Sequence, residues 1–143
     1  DANGQFNVSI PADKVDAVVV EITADSATRM TCDVVSGCGV DPQGQAIDFG
    51  QQFPLNSDFI LEAAYSGLSQ EKALTLYVTP LTHLAVTYAS EQVDGLSETG
   101  IAEAYSLVES TLNLSAGSLQ LPPPDLTKLN EYQSVAAGGA VAQ

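Results

Sequence analysis

The stretch Leu74-Thr75-Leu76-Tyr77-Val78-Thr79-Pro80-Leu81-Thr82-His83-Leu84-Ala85 is where the chain changes period. Up to Val78, Leu74, Leu76 and Val78 alternate with their neighbours, as on one face of a strand. Beyond Pro80, Leu81, Leu84, Ala85, Tyr88 and Ala89 recur at i, i+3, i+4, i+7 and i+8, which is one face of a helix. Proline suits the first helical position, where its missing N–H would have no partner anyway, and Thr79 before it supplies a capping oxygen. The pattern predicts a helix from Pro80 to the stop signal at Asp94-Gly95.

Downstream, Ser97 to Gly100 offers a second cap, and Ile101, Ala104, Tyr105, Val108 and Leu112 form a second stripe. The two helices are expected to form a hairpin over residues 79–115. Residues 116–143 follow as a tail stiffened by Leu121-Pro122-Pro123-Pro124, with Asp125 placed to cap a short last helix. Upstream, Phe6, Val8 and Ile10 alternate with polar residues behind an Asn3-Gly4 turn, and Asp16 to Thr23 is a β-branched run that reads as a central strand. Ala27 to Thr31, the region from Phe49 to Leu55, Phe59 to Tyr65 and Ala73 to Val78 complete five or six short strands. The expected fold class is α+β: an antiparallel β-sandwich, immunoglobulin-like or prealbumin-like, over residues 1–78, carrying the helical hairpin and the proline-rich C-terminal segment.

The 143 residues are 45% hydrophobic and 15% charged, too apolar for a disordered chain. Four basic residues against eighteen acidic ones give a net charge of −14, a field that repels phosphate backbones and anionic lipid headgroups, so nucleic acid is excluded as a partner. No window is apolar for the roughly 18 residues that a membrane span needs. The chain does not begin with Met and is expected to be processed, trimmed or part of something longer. Its two cysteines, Cys32 and Cys38, bracket a C-x5-C loop in TCDVVSGCG. That spacing does not suit zinc, a second Cys pair is missing, and His83 is the lone histidine, so a disulfide is preferred over two free core thiols. A disulfide implies an exported, oxidising location.

Asp1-Ala2-Asn3-Gly4-Gln5-Phe6-Asn7-Val8 resembles the D-x-x-G-x-F-x-V hairpin of carboxypeptidase-regulatory-like, prealbumin-like β modules of bacterial exported proteins. Val78 to Ala85 resembles the V-T-P-L-T-x-L-A segment that follows such a module in large bacterial surface proteins and lipoproteins. The resemblance covers residues 1–10 and about 75–130 and implies surface exposure with a scaffold or binding role; it carries no catalytic residues. Such modules usually have a strand before D-x-x-G and a longer helical part, so a fragment or an open module is expected.

The tests for chemistry are mostly negative. G-x-S-x-G, C-x-x-C-H, G-x-x-x-x-G-K and G-x-G-x-x-G do not occur, and His83 reads as a surface or boundary residue. Asp58 with Glu62 has the spacing of a carboxylate pair on a strand but reads as a solvated edge. The oxygen-rich turns at Asp1, Asn3, Asp25, Asp33 and Asp41 are weak calcium candidates without an EF-hand loop, and calcium is the sole cofactor considered. The sequons at Asn7 and Asn113 read as ordinary polar positions.

The expected function is a non-catalytic extracellular surface module with a structural, adhesion or scaffolding role, not an enzyme. The alternatives are a carbohydrate-binding module and a fragment of a secreted hydrolase. With half its hairpin missing, the strand carrying Phe6, Val8 and Ile10 is expected to present an assembly edge, and the uncharged Val135 to Gln143 is suited to pack on a neighbour. The chain then becomes a subunit of a head-to-tail filament or joins other domains of a larger surface protein.

Overall fold

The computed structural model describes residues 6–8, 17–67 and 74–126. They form a mixed α/β structure of two small antiparallel sheets and two helices. Strand β1 (Ala17–Thr23) pairs with β4 (Ile60–Ser66), and β2 (Arg29–Thr31) pairs with β3 (Gln52–Pro54). Helix α1 (Pro80–Glu91) packs on β4 and on α2 (Glu98–Thr111), and a 3₁₀ turn at Ser118–Gln120 rests against α2. Among the described residues, the strands make two pairs, and a full sandwich is not displayed.

The helix starts follow their local chemistry. Thr79 accepts the Thr82 N–H, while Thr82 Oγ1 accepts the Thr79 N–H in return, a reciprocal cap ahead of Pro80. Ser97 accepts the Gly100 N–H and starts α2. Gly100 is buried against the turn leaving α1, where an added Cβ would collide with the Gly95 carbonyl. Helix α2 ends in a Schellman motif: the Asn113 N–H donates to Ser110 and the Leu114 N–H to Glu109, with Asn113 at φ 56°. Asn113 is thus the helix stop, a backbone role that its polar character alone does not announce.

The core gathers Ala64 from β4, Ala85, Val86 and Ala89 from α1, Ile101, Ala104, Tyr105 and Val108 from α2, and Leu119. On α1 the buried stripe is Thr82, Ala85, Val86 and Ala89, rotated from the expected one, while Leu84 and Tyr88 are exposed. The small alanines let α1 approach β4 closely, and Thr82 is drawn inward by its bond to the Glu62 carbonyl (2.8 Å). On α2 the expected stripe holds at Ile101, Ala104, Tyr105 and Val108, but its last place belongs to Glu109, since Leu112 is exposed.

Three strand expectations need correction. Leu74 to Val78 has no regular structure. The Ala24 N–H donates to the Phe59 carbonyl (3.0 Å), so odd-numbered residues of β4 turn their backbone groups toward β1 and residues 60, 62, 64 and 66 turn theirs away. That outer edge is occupied by hydroxyls: Tyr105 Oη accepts the Ala64 N–H and donates to the Ala64 carbonyl, both at 3.0 Å, and Thr82 holds Glu62. A cavity lies between Ala64 and residues 74–77, and the partner that a strand there would need is already taken. In β1, Val18, Val20 and Ile22 are half-buried, but Val19 and Glu21 are exposed, because the helices cover β4 and leave its neighbour bare. Residues 6–8 are not in a strand, with Phe6 and Val8 exposed; the remainder of that expected strand, including Ile10, lies outside the described residues, as does Ala73.

Candidate functional site

Two separate features of the described residues are candidates for a site. The first is the cysteine loop. Cys32 and Cys38 form a disulfide with their Cα atoms 5.8 Å apart. Cys32, fully buried, donates its N–H to Gln51 (2.9 Å) and accepts from Gly50 (2.7 Å), which extends the β2–β3 ladder to the loop. On the other side Cys38 donates to the Ile47 carbonyl, Ile47 to Gly39, and Val40 bridges to Ala46. Gly37, at φ +91°, sits where a Cβ would lie 3.0 Å from the Ile47 carbonyl, so any other residue there would be strained and would press on that carbonyl. A turn closed by Gly37 N–H to the Val34 carbonyl (2.8 Å) then lifts Val34 and Val35 into solvent.

The second feature is a cavity of about 180 Å³ between β4, residues 74–77, α2 and the 3₁₀ turn, lined in part by Tyr65, Tyr77, Tyr105, Leu119 and Gln120. Its walls are held by buried polar groups. Tyr105 bridges both backbone groups of Ala64, and burial pushes its hydroxyl above the ordinary tyrosine range. Glu109, buried, accepts the N–H groups of Gly117 (2.9 Å) and Leu119 (3.0 Å), one on each carboxylate oxygen. Sequence reasoning assigned neither role. A signal existed for both: a tyrosine in a buried stripe needs a partner for its hydroxyl, and Glu109 stands at i+8 of the stripe that starts at Ile101.

The remaining candidates stay apart. Asp25 Oδ1 accepts from the Thr28 hydroxyl (2.7 Å) and the Ala27 N–H (2.9 Å), bonds that hold its carboxyl below the usual aspartate range. Asp41 Oδ1 accepts the N–H groups of Gln43 and Gln45, and Asp33 is exposed on the cysteine loop. Asp25 and Asp41 therefore fold their own turns. Asp1 and Asn3 lie outside the described residues, among which no three His, Cys, Asp or Glu side chains gather as metal ligands. Asp58 is exposed in the turn before β4, whereas the Glu62 carboxylate lies 3.2 Å from His83 Nδ1. That contact is out of line for a hydrogen bond and becomes an ion pair when His83 is protonated. His83 is thus a boundary residue at the β4–α1 junction, as its offset from the apolar stripe implies. No helix among the described residues is long and apolar enough to cross a membrane. Comparison with family models, curated proteins and solved structures gives no match for this chain.

Proposed function

We infer that the chain is a non-catalytic extracellular surface module with an adhesive or scaffolding role. One observation carries the reading: the buried polar side chains at the core are taken up by backbone partners, while several large apolar side chains are left exposed. Thr82, Tyr105 and Glu109 are buried and take backbone groups as partners, whereas Val35, Val40, Leu84 and Val93 stand in solvent. Of these, Val35 and Val40 lie on the loop and the arm that the Cys32–Cys38 disulfide ties together, and they are the pair placed to make one contact. The disulfide fits an oxidising setting. The finer architecture belongs to the same proposal: a prealbumin-like β module continued by a helical hairpin, similar to those of bacterial surface proteins, with self-assembly into a filament through the segment at Phe6 and the tail at Val135 to Gln143.

Size measurement at rising concentration, on the full chain and on one lacking residues 131–143, tests assembly. Growth in the full chain alone is expected, and a monomer throughout removes the filament. Turnover of a polymeric substrate that is abolished by one carboxylate substitution would overturn the non-catalytic reading. A second reading, carbohydrate binding, is favoured by the cavity, which gathers Tyr65, Tyr77 and Tyr105. At about 180 Å³ it is below the roughly 300–1,000 Å³ of ordinary ligand pockets. Glycan-array binding lost in Tyr77→Ala would promote it.

A further inference from the structure

Val34 and Val35 are anomalous for their position. Turns take Gly, Asn, Asp, Ser and Pro for conformational reasons, yet here two β-branched apolar residues occupy a turn and lie in water, Val34 at 47% and Val35 at 85% exposure. Just past the second cysteine, Val40 is 67% exposed on the hairpin arm that the disulfide ties to the same loop. Neither the core nor the turn geometry needs these side chains. The loop is also fixed from both ends, by the disulfide, by the backbone bonds of Cys32 and Cys38, and by the close fit of Gly37 on Ile47. A contact made by such a loop orders little additional chain, which is the condition for a short apolar tip to bind usefully.

The charge around it decides the partner. Asp33 directly precedes Val34 and Asp41 directly follows Val40, and Arg29, the one basic residue between positions 25 and 58, has its guanidinium turned back onto the Ser26 and Thr28 carbonyls. An apolar tip flanked in sequence by aspartates, on a chain of net charge −14, complements an apolar recess rimmed by Lys and Arg. A second copy cannot supply that rim, since the chain has four basic residues in all against eighteen acidic ones. Anionic lipid headgroups repel it for the same reason.

We propose that the disulfide-pinned Val34–Val35 tip is a docking surface for a protein segment with an apolar centre flanked by basic residues. The proposal rests on the reading of the chain as an adhesive surface module and names the partner chemistry of one contact. The test is selection of a random peptide library on the full oxidised chain, followed by affinity measurement of the enriched peptides on the parent and on V34S/V35S. Both side chains are exposed, so circular dichroism and melting of the variant should match the parent. Enriched peptides should carry Leu, Ile or Phe between Lys or Arg, bind more weakly as salt is raised, and lose at least about tenfold in affinity on V34S/V35S. A C32S/C38S chain, with the tip no longer pinned, should also bind them more weakly. Peptides without basic flanks, equal affinity for V34S/V35S, no enrichment at all, or Val35-dependent binding to phosphatidylcholine vesicles would each overturn it. Failure of the module reading itself shows elsewhere, as enzymatic turnover, so the two failures are distinguishable.

Discussion

Tyr105 does for β4 what a neighbouring strand would otherwise do, since one hydroxyl satisfies both the N–H and the C=O of Ala64. Removing it leaves two buried backbone groups without partners. Tyr105→Phe should therefore cost about 1–3 kcal/mol, read as a fall in denaturant midpoint at unchanged slope. The same residue sets a pH dependence. Burial raises the Tyr105 pKa above its ordinary 10.0, so the unfolded chain releases this proton first. Its contribution is complete below pH 10.0 and is lost as pH rises from there through the folded value. Denaturation followed across that alkaline window should show a decline that is reduced in Tyr105→Phe; an identical decline in both chains would assign it to other groups. At Glu109, two backbone N–H groups share one carboxylate, and the Glu109→Ala variant leaves both unsatisfied in a buried site. It should lose about 1–3 kcal/mol, and Glu109→Gln, which keeps one acceptor oxygen, should lose less.

The ends of α2 separate local propensity from packing. In a helix interior, Gly to Ala is worth about 1 kcal/mol of added stability. At Gly100 the opposite is expected, because the new Cβ meets the Gly95 carbonyl and the turn between the helices must move. Gly100→Ala should therefore lower the melting temperature, whereas Asn113→Gly, which relieves a left-handed φ of 56°, should hold or raise it. Such element-level features were legible unevenly in the sequence. The start of α1, the Ser97 cap, β4 and the buried face of α2 as far as Val108 follow from period and capping chemistry, because those signals are local. The α1 stripe was misread by about one position because Thr82 counts as polar by type but is buried through its bond to Glu62, 20 residues away. Leu74 to Val78 has a strand's alternation and lacks a strand's partner, since the edge it needed was taken by Tyr105, 41 residues from Ala64. Both misreadings come from hydrogen bonds across long sequence separation, which no periodicity records. At the candidate site the disulfide was legible from cysteine spacing, while Glu109 was hidden by its charge and the exposure of the valine tip by its hydrophobicity.

At the scale of the whole molecule, the clustered core and the disulfide are in different places. Every residue of the core cluster comes from Ala64 or from positions after 84, joined by Ala17, Leu81 and Leu114, whereas the buried residues Ala24, Cys32 and Ile47 lie outside it. The β2–β3 pair and the cysteine loop therefore depend on their own ladder, a few turns and the disulfide for order. A loop of this length closes little chain entropy, and its stabilisation should be below the ~3 kcal/mol estimated for a 15-residue loop. Because regions open in cooperative units, the effect should remain near the crosslink. Reduction with alkylation is thus expected to abolish slow amide exchange at Cys32, Cys38 and Ile47 and to leave α1 and α2 protected, with helical circular dichroism unchanged and only a small drop in the melting temperature of the helices. Intact mass confirms that the bond was present and then opened. If helical ellipticity falls together with loop protection, the loop and the helical core are one cooperative unit, and the disulfide supports the whole fold rather than the presentation of its valine tip.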